Sequence, residues 1–317
     1  MEVGVPMGVP AGTPARRAAP RTTTAGARVD GVVWTRRAVL AGAGLAAVGA
    51  AAAGAGPLVP SARAAAAPDV DQLLATPGFV VAHRGGSRDW PEMSAFAYTS
   101  AAALGADALE LSLSRTSDGV WFGLHDGTLD RTSGTQGFKA SEHTWAEVAS
   151  YRISPSTTRD RTQAKRPYAR LEELLERWGG RRVLFVDPKA ASARFHPELV
   201  AALRKVPSSQ DWVVAKAPVD TTWWADAARR EGWRSWGFFW AKDLDADPGL
   251  LARTAGAWDL LGMDVDAPDA RWKQVLDLGA PVMAHVLTSS RQLERARALG
   301  AAGVMVSDLV AVLPARR

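Results

Sequence analysis

Val80-Val81-Ala82-His83-Arg84-Gly85-Gly86 opens the stretch that decides the fold, Val80 to Arg131. It continues through Pro91-Glu92 and Gly105-Ala106-Asp107-Ala108-Leu109-Glu110-Leu111-Ser112. It closes on Leu124-His125-Asp126 and Leu129-Asp130-Arg131-Thr132. Histidines, arginines and carboxylates stand at the ends of short apolar runs, where a parallel barrel keeps its chemistry. Period-two alternation puts Glu110, Ser112 and Ser114 on one strand face and Leu109, Leu111 and Leu113 on the other. In a barrel the polar set points inward and the leucines meet a layer of helices.

The same alternation of short apolar runs and amphipathic segments continues to the C-terminus. Strands are predicted over Phe79–Ala82, Ala108–Leu113, Val183–Val186, Trp212–Ala215, Ser235–Phe239, Leu260–Met263, Val282–Ala284 and Gly303–Val306. Helices are predicted over Ser94–Leu104, Leu171–Trp178, His196–Arg204, Thr221–Glu231, Pro248–Ala255, Asp269–Leu278 and Ser290–Leu299. Eight such units over about 250 residues fit a (β/α)8 TIM barrel, with a doubly wound open sheet as the alternative. Val120–Leu124 reads as an extra strand. The Ser/Thr/Arg-rich segment Thr132–Arg170 is expected to be irregular, and loops of that length are usually functional or mobile.

The sequence holds 38 basic and 33 acidic residues and no cysteine. Thiolate metal sites, thiol nucleophiles and disulfides are therefore excluded. Residues 1–64 contain seven arginines and two acids, which leaves 31 residues of each sign in 65–317 and no net charge to attract nucleic acid. Residues 1–33 are rich in Gly, Pro, Ala, Thr and Arg and are expected to be disordered. Arg36-Arg37, the Ala/Gly-rich apolar run to Gly56 and the small residues Ala62 and Ala64 read as a twin-arginine signal peptide with its cleavage site. The alternative is a retained N-terminal anchor, but Ala and Gly form membrane spans poorly. The expectation is a leader over 1–64, a barrel over 65–317, and a secreted or cell-envelope protein without a membrane span after cleavage.

Two imidazoles, His83 and His125, end successive apolar runs. Imidazole titrates near neutrality and can take and return a proton. Arg84 and Lys189 suit a phosphate anion. Glu110 and Asp187 suit a hard divalent cation, Mg²⁺ or Ca²⁺. Asp187 and Lys189 share a strand face and would, read alone, form a structural ion pair. Charge neutralisation at phosphorus with proton traffic at the attacking and leaving oxygens is what phosphodiester cleavage requires. Lys216 and His285 fall at predicted strand ends and are candidates for substrate contact. Most of the tryptophan-rich segment 223–240 reads as core, with Trp240 placed to line a pocket.

These residues carry a resemblance. His83-Arg84-Gly85, Pro91-Glu92, Gly105-Ala106-Asp107, Glu110, Thr116–Gly119, His125-Asp126 and Leu129-Asp130-Arg131-Thr132 resemble the ordered signature of the glycerophosphodiester phosphodiesterase family, and Gly300–Asp308 resembles its closing strand and loop. The resemblance implies a TIM barrel that hydrolyses glycerophosphodiesters to an alcohol and glycerol phosphate with a divalent metal. It implies His83 and His125 as acid and base, Arg84 and Lys189 as phosphate contacts, and Glu110 and Asp187 as metal ligands. The chain departs from the pattern in three places. The family's Glu-x-Asp ligand pair is Glu110-Leu111-Ser112, its Pro-Glu-Asn turn is Pro91-Glu92-Met93, and its Glu-x-Lys pair is Asp187-Pro188-Lys189. Affinity for a hard cation follows ligand charge, so Ser112 weakens the site unless water or another acid, Asp264 or Asp266, fills in. Three readings follow: an exported phosphodiesterase, a catalytically impaired barrel that binds phosphodiesters, and a sphingomyelinase D-like lyase.

Overall fold

The computed structural model describes residues 69–316. The twin-arginine segment, the cleavage site and residues 65–68 of the expected barrel lie outside them.

Eight parallel strands close on themselves. They are β1 (Phe79–Ala82), β2 (Ala108–Arg115), β4 (Val183–Asp187), β5 (Val213–Pro218), β6 (Arg234–Phe239), β7 (Leu260–Asp264), β8 (Val282–Leu287) and β9 (Gly303–Val306). β3 (Trp121–Gly123) is the extra strand, antiparallel to β2 on the outside. The neighbour order is β1-β9-β8-β7-β6-β5-β4-β2, and pairing of Val81 with Ala108 and Ala82 with Leu109 shuts the cylinder. The closed sheet excludes the doubly wound alternative.

Alternation along the strands sorts the side chains into two cores. Leu109, Leu111 and Leu113 pack outward among the helices, together with Val186, Ala215 and Leu261. Phe79, Val81, Phe185, Val214, Trp236, Phe238, Met283 and Met305 fill the barrel interior. Large inward rings need small inward neighbours. A Cβ on Gly303 would stand 2.4 Å from the Phe79 ring, and one on Gly262 would stand 2.6 Å from the Trp236 indole. Above this apolar filling, the same inward positions carry His83, Glu110, Ser112, Asp187, Lys216 and His285.

The segment Thr132–Arg170 is irregular, as expected, with only short helical turns such as Trp145–Val148. It is ordered around its own small core of Phe122, Leu124, Leu129, Ala140, Val148, Ile153 and Tyr168. Isolated bridges join Thr128 to Lys139 and Ile153 to Arg166. The Asp130 carboxylate accepts from Thr135 Oγ1 (2.7 Å) and the Gly137 amide (2.9 Å). Side-chain bonds to backbone replace the regular ladders that sequence periodicity can reveal. Around Pro248 the structure differs from expectation, with helices at Ala241–Ala246 and Leu250–Thr254 in place of one.

Candidate active site

The chain turns sharply after β1. Arg84, Gly85 and Gly86 have φ of 53°, 75° and 89°, left-handed values that glycine adopts without strain. Gly85 also has no room for a side chain, since a Cβ would meet Ala97 and the Tyr98 amide at 3.0–3.1 Å. The turn aims the Arg84 amide at Glu110 Oε2 (2.7 Å) and places His83 Nδ1 2.7 Å from Ser307 Oγ, at the end of β9. Ser87 Oγ donates to Ser307 in turn, at 3.1 Å.

Across the mouth, His125 Nδ1 lies 2.7 Å from Asp126 Oδ1. A carboxylate can only accept, so Nδ1 carries the proton and Nε2 is left for substrate. The imidazole and Arg131 hold Asp126 ionised, well below the usual carboxylate range. Arg131 Nε donates to Asp126 (2.6 Å), and its two terminal nitrogens grip buried Glu92 at 2.8 Å each. Glu92 also meets Arg84 Nη1 at 3.5 Å. One buried carboxylate thus links the turn bearing His83 to the insertion between β3 and the helix Leu171–Trp178, which bears His125.

The two histidines line one cleft of about 290 Å³ with Arg84, Lys189, Lys216, Lys242 and His285. Trp236, Phe238, Trp240 and Met305 form its apolar surface. Burial, then the Arg84 charge, lowers the His83 pKa well below 6.5 and keeps the ring neutral. His285 is only 2% exposed, and its Nε2 donates to the Phe239 carbonyl (3.0 Å). Burial and the Lys216 charge lower its pKa to about 3.

Beneath the cleft the acids converge, but on an ammonium. Val186 pairs with Ala215, so the next residues along, Asp187 and Lys216, fall side by side. Lys216 Nζ donates to Asp187 Oδ2 (2.6 Å) and Glu110 Oε1 (3.1 Å). Ser112 Oγ donates to Glu110 Oε1 as well (2.7 Å). Against the cost of burial, the Lys216 charge and then the Ser112 hydrogen bond hold Glu110 ionised, far below the ordinary range. Burial opposes the Lys216 charge, but Asp187 and Glu110 outweigh it and raise its pKa.

Most of the residues predicted from sequence meet here, though not always in the expected pairs. Asp187 pairs with Lys216 on the next strand, not with Lys189. Lys189 lies over the Phe238 ring (5.1 Å to its centre) and has no carboxylate partner within 4 Å among the described residues. Asp264 and Asp266 do not reach inward. Asp264 accepts from the Ala241 amide and Asp266 from the Gln292 side chain, each at 2.8 Å. Trp240 lines the cleft edge-on to His285. Sequence reasoning missed Ser307, the hydroxyl behind His83, whose only signal is a polar residue one step past a strand. It also missed the charge on Arg131 as the brace behind His125.

The model of the glycerophosphoryl diester phosphodiesterase family matches residues 83–309. The chain belongs to this family. It is similar to a glycerophosphodiester phosphodiesterase of Bacillus subtilis, 30% identical over 133 residues, which is 39% of this chain and 45% of that protein. The match thus spans less than half of that relative. A crystal structure of a glycerophosphodiester phosphodiesterase from Agrobacterium tumefaciens has the same fold, with TM-score 0.57, 19% identity, 73% of this chain and 97% of that one covered. So does an Oleispira antarctica phosphodiesterase in complex with its product sn-glycerol-3-phosphate, with TM-score 0.59, 18% identity and coverage of 76% and 97%.

Members of the family generally use a divalent metal. The donor set of this chain does not fit one. Where the family pattern has three carboxylates, it offers two and a hydroxyl, and among the described residues no cluster of three His, Asp or Glu could hold a metal. The two acids are already neutralised in part by Lys216.

Proposed function

We propose that the protein cleaves glycerophosphodiesters at the cleft lined by His83 and His125. The observation that carries the reading is a single cavity presenting two imidazoles, each secured through Nδ1, beside Arg84, Lys189 and Lys216. Family membership and the fold shared with the product-bound Oleispira enzyme support glycerophosphodiesters as the substrate class. Arg84, Lys189 and the remaining N–H of Lys216 hold the phosphate and neutralise the charge that grows on its oxygens. His83, neutral in the resting site, accepts the proton of the attacking hydroxyl. The entering phosphate anion strengthens it as a base at that moment. His125, held as an imidazolium by Asp126, gives its Nε2 proton to the leaving alcohol as that P–O bond breaks. It recovers the proton from the water that opens the resulting cyclic phosphate, while His83 gives back the first one. No step is routed through Mg²⁺ or Ca²⁺, because either ion would have to displace Lys216 from Glu110 and Asp187.

Turnover of a panel of glycerophosphodiesters, with glycerol, inositol, ethanolamine or choline as the alcohol, tests this reading. His83→Ala and His125→Ala are each expected to lower kcat by about 10²–10⁴-fold. Absence of turnover across the panel, or an unchanged rate in His83→Ala, would refute it. Phosphorus NMR of the product separates hydrolysis from a lyase that stops at a cyclic phosphate. A barrel that binds diesters without cleaving them is the second reading, favoured by Ser112. The Arg36-Arg37 segment further supports export by the twin-arginine route to the cell envelope or beyond. Fusing residues 1–64 to a reporter tests this, with Arg36→Lys/Arg37→Lys expected to abolish export.

A further inference from the structure

The acids beneath the cleft have a cation of their own. We propose that the Lys216 ammonium permanently occupies the divalent-cation position, so that this barrel binds and acts on phosphodiesters without a metal. As an account of turnover the proposal rests on the reading above; as an account of the site it does not.

Four observations converge on it. Lys216 is 4% exposed and donates to both acids that the family pattern assigns to metal, at 2.6 and 3.1 Å. Its Nζ also lies over two aromatic faces, 4.9 Å from the Phe238 ring centre and 5.9 Å from that of Trp236, a further source of attraction for a cation. An ammonium has three N–H groups, and two are taken by carboxylates. The third is left at the floor of the cleft, as an open coordination position would be. Finally, the charges balance. Three carboxylates around a divalent cation carry one net negative charge, and so do Glu110 and Asp187 around one ammonium. Ser112 is the other half of this exchange. Its hydroxyl replaces one negative charge and donates to Glu110, where a third carboxylate 2.7 Å away would repel it.

The exchange changes the chemistry available. A bound cation can lower the pKa of a coordinated water, whereas an ammonium only neutralises charge and donates a hydrogen bond. The nucleophile in this site therefore depends on an imidazole for its deprotonation.

Wild-type protein, stripped with EDTA, is titrated with Mg²⁺ alone and Ca²⁺ alone by calorimetry and by thermal melting, and assayed on the diester panel with and without EDTA. The expected result is no stoichiometric heat, no metal-dependent rise in Tm, and turnover changed less than about twofold by EDTA. Stoichiometric binding of either ion, or turnover abolished by EDTA and restored by the ion, would overturn the proposal. If no diester is turned over, the binding measurements still decide the question and only the functional reading falls. Ser112→Asp/Lys216→Ser restores three carboxylates and removes the ammonium, and is expected to gain a Tm that rises with Mg²⁺ or Ca²⁺. A folded double variant indifferent to both ions would count against the proposal. If it does not fold, Lys216→Met supplies the comparison: it is expected to lose Tm without metal and recover part of it with metal. An unchanged Tm in Lys216→Met would show that the ammonium neutralises nothing.

Discussion

Acidification should draw stability out of this fold through His285. Its ring is buried against Trp236, Phe238 and Trp240, and Nε2 donates to the Phe239 carbonyl. Burial, reinforced by Lys216, lowers its pKa to about 3. In the unfolded chain the same ring takes a proton near pH 6.5. Between those values the unfolded chain binds a proton that the folded one refuses. The stabilisation is therefore whole above about pH 6.5 and declines as pH falls toward the folded value. Linkage gives a loss of about 2 kcal/mol by about pH 5 and about 4 kcal/mol by about pH 3. His83, also held neutral by burial and Arg84, adds a loss of the same sign. Urea denaturation near pH 7.5 and near pH 5 measures the total. His285→Gln keeps an N–H for Phe239 but cannot titrate, and should lose about 2 kcal/mol less than wild type between the two conditions. Equal losses in the two proteins would refute a neutral, proton-refusing His285.

Three other outcomes follow from the geometry. Asp126→Asn replaces an anion that can only accept with a neutral amide that can also donate, so it no longer fixes the His125 tautomer and should lower kcat by about 10²–10⁴-fold with little change in KM, read by steady-state kinetics. Gly303→Ala pushes a methyl group into the Phe79 ring 2.4 Å away and should cost about 1–3 kcal/mol, read as a lower urea midpoint at unchanged m. Lys189 and Lys242 at the cleft should disfavour a quaternary ammonium, so kcat/KM should be several-fold higher, roughly, for an inositol or glycerol diester than for the choline diester. That difference should shrink as salt is added; independence from salt would place the discrimination elsewhere.

The barrel was legible because each of its strands is a short apolar run ending in polar residues. Phe79–Ala82 and Gly303–Val306 have the predicted bounds, and β2 extends its predicted run by two residues to Arg115. Period two also put Glu110 and Ser112 inward and the leucines outward, and burial follows that division. Pairing between strands was less legible. Asp187 and Lys189 lie two apart in sequence and looked like partners, yet β4–β5 register gives Asp187 to Lys216, 29 positions away. Arg131 and Glu92, 39 positions apart, meet only because the insertion folds back over the turn after β1. The insertion itself has no apolar period because turn side chains and isolated bridges organise it.

That insertion has a thermodynamic consequence. His125, Asp126 and Arg131 belong to a side lobe with its own apolar cluster, while His83 and Lys216 belong to the cylinder. The two halves of the proton circuit thus reside in units that can come apart at different temperatures, since small peripheral cores open before large central ones. On warming, such a molecule would fall silent while its eight staves still held. Activity and near-ultraviolet ellipticity recorded on the same sample would reveal the interval between the two events.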